Sequence, residues 1–278
     1  MATKNWFITG VSTGFGRELS KAALARGDKV VGTLRKQEQF AEFEALAPGR
    51  AIAVQADVTN PAQVTASVAR AIEVLGHVDV LVNNAGYGLF GSIEQLTEEQ
   101  IDQQFAVNTF GAIRVTRALL PHLRERRAGK ILQISSVAGQ TGAAGLGIYN
   151  ASKWALEGFS EALSYEVRKL GIHVVLIEPG AFRTDWAGRS MDRVEPLPDY
   201  AGTVGRVAAY LDQGNGKQPG DPKKAAAFML EIADMDTPPL RIPFGADSYD
   251  SIKQKLTRQL SELTAWEQKA KSLSFEGD

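Results

Sequence analysis

The chain has 278 residues, 44% of them hydrophobic and 23% charged, with a formal net charge of −1. This is a soluble globular composition, and its near-neutral balance argues against nucleic acid, whose phosphates select a basic excess. There are no cysteines, so disulfides, thiolate metal sites and cysteine nucleophiles are excluded.

No metal site is expected from the remaining residues. Met1 to Trp6 carries no apolar leader core, and no run approaches the ~18 residues of a membrane span, so the expectation is no span and a cytoplasmic location.

Asn5 to Thr9 reads as a first strand running into Thr9-Gly10-Val11-Ser12-Thr13-Gly14-Phe15-Gly16, and a helix follows from Phe15 to Arg26, stopped by Gly27. Strands at Lys29 to Leu34 and Ala51 to Gln55 flank a helix over Gln37 to Leu46. Asn60 caps a helix that opens on Pro61 and ends near Gly76, and Val78 to Val82 is a fourth strand. Thr97-x-x-Gln100 has the form of a capping box for one long helix to Arg126, before a fifth strand at Lys130 to Ser135. A helix carrying Tyr149 and Lys153 runs to Leu170, and a sixth strand spans Ile172 to Glu178. The βα rhythm then breaks over 183–220, apart from a helical pattern at Gly202 to Leu211. A helix at Pro222 to Asp234, an edge strand at Leu240 to Phe244 that tolerates Pro243, and a polar helix from Ser248 to Lys271 complete the chain.

Alternating strands and helices of this kind build a parallel sheet with helices on both faces, and the near-continuous apolar strands suit burial on both sides. No linker or repeat marks a second domain, so 1–278 is expected to form a single domain of about seven strands.

Gly10, Gly14 and Gly16 end the first strand and open the first helix, where glycines permit a tight turn and the helix N–H groups can meet a phosphate. Gly10-x-Ser12-x-Gly14 also matches the elbow of a serine hydrolase. That chemistry needs a histidine beside Ser12, and His77, His122 and His173 all fall away from the carboxyl edge of the sheet. Tyr149 and Lys153, four apart, share a helix face, and the spacing predicts a phenol acidified by the ammonium.

With Thr9-Gly10-x-x-x-Gly14-x-Gly16, Asn83-Asn84-Ala85-Gly86, Tyr149-x-x-x-Lys153 and Pro179-Gly180 in this order, the chain resembles the short-chain dehydrogenase/reductase family from its first strand to at least Thr184. The resemblance implies a Rossmann-like doubly wound sheet with 183–220 as a small substrate lid. It implies an oxidoreductase acting on CH–OH or C=O groups, with Tyr149 as general acid/base and Ser136 orienting the substrate oxygen. Lys153 would lower the Tyr149 pKa and bind the nicotinamide ribose, and the Asn108 backbone would hold a relay water. Ser135 competes with Ser136, but strand alternation lets only one face the site.

For the cofactor, the resemblance implies a cradle of Gly10, Ser12, Thr13, Gly14, Phe15 and Gly16. Asp57 and Val58 would meet the adenine, with Asn84, Ala85 and Gly86 leaving room beside it. Pro179, Gly180 and Thr184 would lie over the nicotinamide. Leu34 stands where NAD users place an acid, and Arg35 follows at the phosphate-reading position, so NADP(H) is favoured over NAD(H). Arg17 is a candidate helper.

Tyr87, Leu89, Phe90, Gln140 to Ile148, Phe182, Trp186 and Met191 are expected to wall an apolar pocket for a hydrophobic ketone, aldehyde or secondary alcohol, steroid-like, retinoid-like or aromatic. Arg183, Arg189 and Arg193 offer the alternative of an anionic substrate. A homodimer or homotetramer through the long fourth helix and the Tyr149 helix is implied. The rival reading is a non-catalytic NADP(H)-binding redox sensor or scaffold.

Overall fold

The computed structural model describes residues 3–275. Met1 and Ala2, read above for a leader, and 276–278, at the end of the expected domain, lie outside the described residues.

β1 (Asn5–Ile8) passes through the glycine turn into α1 (Gly14–Arg26), which Gly27 ends in the left-handed region at φ 101° before β2 (Lys29–Leu34). Where one helix was expected over 37–46, a 3-10 turn at Gln37–Gln39 precedes the short α2 (Phe40–Glu44). β3 (Ala51–Gln55) leads to α3 (Pro61–Leu75), whose cap Asn60 accepts from Ala62 N and Gln63 N at 3.0 and 3.2 Å. β4 (Val80–Asn83) is followed by β5 (Gly88–Phe90), a short strand the sequence did not announce.

The capping box forms as expected, Thr97 and Gln100 bonding reciprocally at the start of α4 (Glu98–Phe105). The long helix to Arg126 is interrupted, however. A π-helical stretch at Ala106–Gly111 separates α4 from α5 (Ala112–Arg126). Gly111 sits within this stretch where an added Cβ would stand 2.6 Å from Val58, so the close approach of the helix to the cleft wall needs a glycine. β6 (Gly129–Ile134), α6 (Gly147–Val167) and β7 (Ile172–Pro179) follow. After β7 come β8 (Met191–Arg193), α7 (Val204–Gly214), α8 (Pro222–Asp234), β9 (Arg241–Phe244), α9 (Ala246–Ala265) and α10 (Glu267–Lys271).

Seven strands form one parallel sheet in the order β3-β2-β1-β4-β6-β7-β9, with β9 at the edge. The strands alternate their side chains between two cores. Trp6, Ile8, Val80, Val82, Leu132, Val175 and Ile177 face α1 and α8 on one side. Phe7, Leu81, Ile131 and Val174 face α3, α5 and α6 on the other. β5 and β8 pair as a separate parallel ribbon outside the sheet.

The winding reverses between β1 and β4, and in such sheets a crevice opens beyond the carboxyl ends of the strands at that point. At the opposite, amino edge, the fully buried Asp28 carboxylate accepts from Trp6 Nε1 at 2.8 Å and from Lys4 N at 3.0 Å and pairs with Arg26 at 2.5 Å. Arg26 also reaches Asp234 at 2.8 Å, joining α8 to the same network.

Candidate active site

Thr9, at the carboxyl end of β1, stitches the crevice together. Its hydroxyl accepts from Asn84 N and Ala85 N, both at 3.0 Å, while Asn84 Nδ2 donates to Thr9 O at 2.9 Å and Gly10 O at 2.8 Å. Gly10 takes φ 70°, and a Cβ on Gly16 would stand 2.4 Å from both Asn84 Nδ2 and Gly10 O, so the cradle closes only with glycine there. Thr13 precedes α1 without a side-chain cap, and the first turn has no acidic residue, which leaves the helix N–H groups to an anion.

These features fit a dinucleotide, and the cleft itself has a volume of about 1040 Å³. Gly10, Ser12, Thr13, Gly14 and Phe15 line its floor, with Gly16 packed behind them. Arg35, Asp57, Val58, Asn84, Ala85 and Gly86 line one arm, and Ser136, Tyr149, Lys153, Pro179, Gly180 and Thr184 the other. Asp57 also serves as a turn residue, its Oδ1 accepting from Thr59 N at 2.8 Å and Thr59 Oγ1 at 2.7 Å. Arg35 is exposed at the rim, whereas Arg17 is paired with Glu42 at 2.6 Å.

Asn108 falls in the π-helical stretch and is buried behind the cleft. Its Oδ1 accepts from Tyr87 N at 3.0 Å, and its Nδ2 donates to Tyr87 O at 2.9 Å and Ser152 Oγ at 3.3 Å. The side chain thereby holds the segment after β4 against α6. Such π turns gather at functional sites, and helical periodicity alone does not reveal them.

Ser136 and Ser135 point apart, as alternation requires. Ser136 Oγ accepts from Ala138 N at 3.1 Å, donates to Pro179 O at 3.4 Å and lies beside the Tyr149 phenol, while Ser135 Oγ is buried beside Gly139 and Glu157. The acidified phenol expected from the Tyr149–Lys153 spacing is not what the structure shows. Burial pushes Tyr149 up to about 12, opposed only by the Ser136 hydroxyl and the Trp186 indole N–H. Burial likewise lowers Lys153 to about 8, against the attraction of Glu157. The Lys153 ammonium donates to Ile134 O at 2.8 Å and lies 5.9 Å from the centroid of the Tyr149 ring. Helical spacing fixes the shared face but not the depth, and depth penalises both charged forms.

The apolar end of the cleft is walled by Tyr87, Thr141, Ala143, Leu146, Phe182, Trp186 and Met191. Trp186 packs on Tyr149 with ring centroids 5.1 Å apart. Leu89 and Phe90 are not wall residues: both belong to β5 and are buried in the interior. Gln140 turns away to bond Glu157 and Glu178. Tyr210 and Leu211 of α7 join the wall instead, a role that the helical pattern at 202–211 could have signalled. The three arginines after β7 are engaged locally, Arg183 on Gln218 O, Arg189 on Asp185 and Arg193 on Asp212. Asp247, at the start of α9, also lines the cleft, and no sequence motif marked it.

Ser12 finds no histidine. His122 accepts from Val78 N at 3.2 Å and His77 lies by Asp79, both at the amino edge of the sheet, where His173, the second residue of β7, also lies. The hydrolase constellation is not assembled.

This sheet, cradle and Ser–Tyr–Lys cluster are matched by a family. The pattern of the short chain dehydrogenase family covers residues 4–194, and the chain belongs to that family. It is an NAD(P)-dependent oxidoreductase. The chain is similar to 3-ketodihydrosphingosine reductase of Bacteroides thetaiotaomicron, with 36% identity over 86% of each chain. It is also similar to a solved short-chain dehydrogenase from Streptomyces avermitilis, at 42% identity and a TM-score of 0.92, covering 98% of this chain and 99% of that one. A short-chain dehydrogenase/reductase from Burkholderia phymatum, solved in complex with NAD, aligns at 25% identity and a TM-score of 0.79 over 92% of this chain and 95% of that one. Among the described residues no helix is long and apolar enough to cross a membrane.

Proposed function

We propose that the protein is an NADP(H)-dependent oxidoreductase for a hydrophobic ketone, aldehyde or secondary alcohol, with Tyr149 as general acid/base. The observation that carries this reading is the convergence of the Ser136 and Tyr149 hydroxyls at the apolar end of the cleft, with Lys153 beneath them. A nicotinamide coenzyme supplies or accepts the hydride when bound. Tyr149 passes a proton to or from the substrate oxygen, and Ser136 orients that oxygen and stabilises its developing charge. Lys153 holds the coenzyme ribose and brings positive charge beneath the phenol. Asn108 keeps the Tyr87 segment and α6 in register. A phenol held near 12 is a poor base on its own, so the lysine's charge must act on it during turnover.

Arg35 supports the NADP(H) preference: it stands exposed at the cleft rim at the end of β2, beside the buried Leu34 rather than an acid. The apolar wall supports the substrate class, as does the ketone in the name of the Bacteroides relative. The local pairing of the three arginines disfavours an anionic substrate. Residues 183–220 act as the lid of a single domain, and α7 brings Tyr210 and Leu211 over the cleft. Phe110, Trp154 and Tyr165, on the π stretch and α6, are 50%, 45% and 61% exposed, which supports pairing of subunits through those helices as a homodimer or homotetramer. The test is NADPH and NADH oxidation against a panel of hydrophobic ketones and aldehydes. Turnover with an NADPH preference is the expected result. Tight NADPH binding without turnover across the panel favours the redox sensor instead.

A further inference from the structure

Behind Lys153, on the side away from the cleft, lies a second cluster of charge. Glu157 is four residues further along α6, one turn on, and only 4% exposed. Its Oε2 accepts from Arg241 Nε at 2.9 Å and Gln140 Nε2 at 3.1 Å, while its buried Oε1 faces the Ser135 hydroxyl beside Gly139. Glu178, 1% exposed near the end of β7, accepts from the same Gln140 amide at 2.9 Å and lies 3.7 Å from Arg241. Arg241, on β9, also reaches Glu161 at 2.6 Å, at the protein surface.

The groups facing Lys153 are therefore few. Tyr149 and Glu157 share its helix, Ile134 O on β6 accepts its hydrogen bond, and the neutral Asn108 amide lies with it around Gly86. Beyond these stand Glu178 on β7 and Arg241 on β9. Among the described residues Lys153 has no ion-pair partner within 4.0 Å, although it is only 6% exposed. A buried ammonium needs a counter-charge, and Glu157 is the nearest carboxylate along its own helix.

We propose that Glu157 is a positioning residue, whose carboxylate, oriented by Gln140 and Arg241, keeps Lys153 in the ammonium form that the chemistry at Tyr149 uses. The proposal rests on the role given to Lys153 above. The Glu157–Glu178 pair shares the burden. Two carboxylates bridged by one amide repel, and burial pushes both up, but Arg241 is closer to Glu157 and opposes the rise there, so Glu178 is the first of the two to take a proton as the pH falls. Glu178 is accordingly pushed up to about 7, by burial first and by Glu157 second.

The test reads Lys153 directly and needs neither coenzyme nor substrate. In protein labelled with 13C at the lysine ε-carbon, the Lys153 resonance is identified by its loss in Lys153→Met and titrated with pH. The wild-type midpoint is expected near 8. Glu157→Gln should lower it by about one unit. Glu161→Gln, which alters the Arg241 pairing only at the surface, should leave it in place. Should the Gln variant not fold, Glu157→Asp, which withdraws the charge by one bond, is expected to give a smaller drop. An unmoved or raised midpoint in the folded variant overturns the proposal. Because this titration involves no turnover, its failure leaves the assignment of Tyr149 standing, and loss of that assignment leaves the titration intact.

Discussion

The Asp247 carboxylate, at the start of α9, accepts the Ala181 backbone N–H at 2.6 Å. One residue on, the buried Ser248 hydroxyl donates to Glu178 O at 2.7 Å. The last long helix thus grips both sides of Pro179-Gly180, the segment proposed to lie over the nicotinamide. Asp247→Ala should remove a charge-assisted bond and cost about 1 kcal/mol, since the pair is solvent-exposed. The Michaelis constant for the coenzyme should rise severalfold with little change in the melting temperature. An unchanged coenzyme constant would show that the segment holds its place without α9.

Tyr149→Phe removes the proton and keeps the ring that packs on Trp186. Coenzyme binding, followed by nicotinamide fluorescence, should stay within about twofold, while turnover falls by roughly 100-fold or more. Near-normal turnover in this variant contradicts the assignment of Tyr149 as acid/base.

Arg35 offers its guanidinium at the cleft rim without a carboxylate partner among the described residues. Arg35→Ala should raise the Michaelis constant for NADPH by about tenfold or more and that for NADH little. Equal effects on the two coenzymes rule out recognition of the 2′-phosphate.

Glu178 carries a pH dependence whose sign follows from its burial. Its value rises from the usual 4.5 to about 7 in the folded protein. Its contribution to stability is therefore complete below about 4.5 and is lost as pH rises through 7. Glu178→Gln stays neutral and can still accept from Gln140. Thermal unfolding should show the variant more stable than wild type at pH 8, with the gap closing by pH 5. A variant less stable at pH 8 would refute the upward shift of Glu178.

The seven-stranded sheet was readable because each strand is a compact apolar run set off by glycine, proline or a helix cap. The cradle was readable because Gly10, Gly14 and Gly16 leave a fixed spacing at the end of β1. The β5–β8 ribbon was not, since it pairs Gly88–Phe90 with residues a hundred positions away, and three residues give no period. For the same reason nothing in the sequence separates the buried Leu89 and Phe90 from the pocket wall. The π stretch around Asn108 escaped because one widened turn hardly disturbs a helical pattern. The acidity of Tyr149 does not follow from its spacing to Lys153, because a sequence gives neighbours along a helix but not the depth at which they lie. Asp247, Glu157 and Glu178 carry no motif, and their proximity to the site arises only when β7, β9 and the helices α6 and α9 are brought together.

The hydrogen bonds and ion pairs around Asp28 bind Lys4, Trp6 and α8 to the sheet at its amino edge, while the cleft opens at the carboxyl edge. The strands separate the two by their own length. Mutational drift or deliberate redesign can therefore reshape the cleft for new substrates while the anchorage of the fold is left untouched, and the anchorage can be reinforced without disturbing the chemistry.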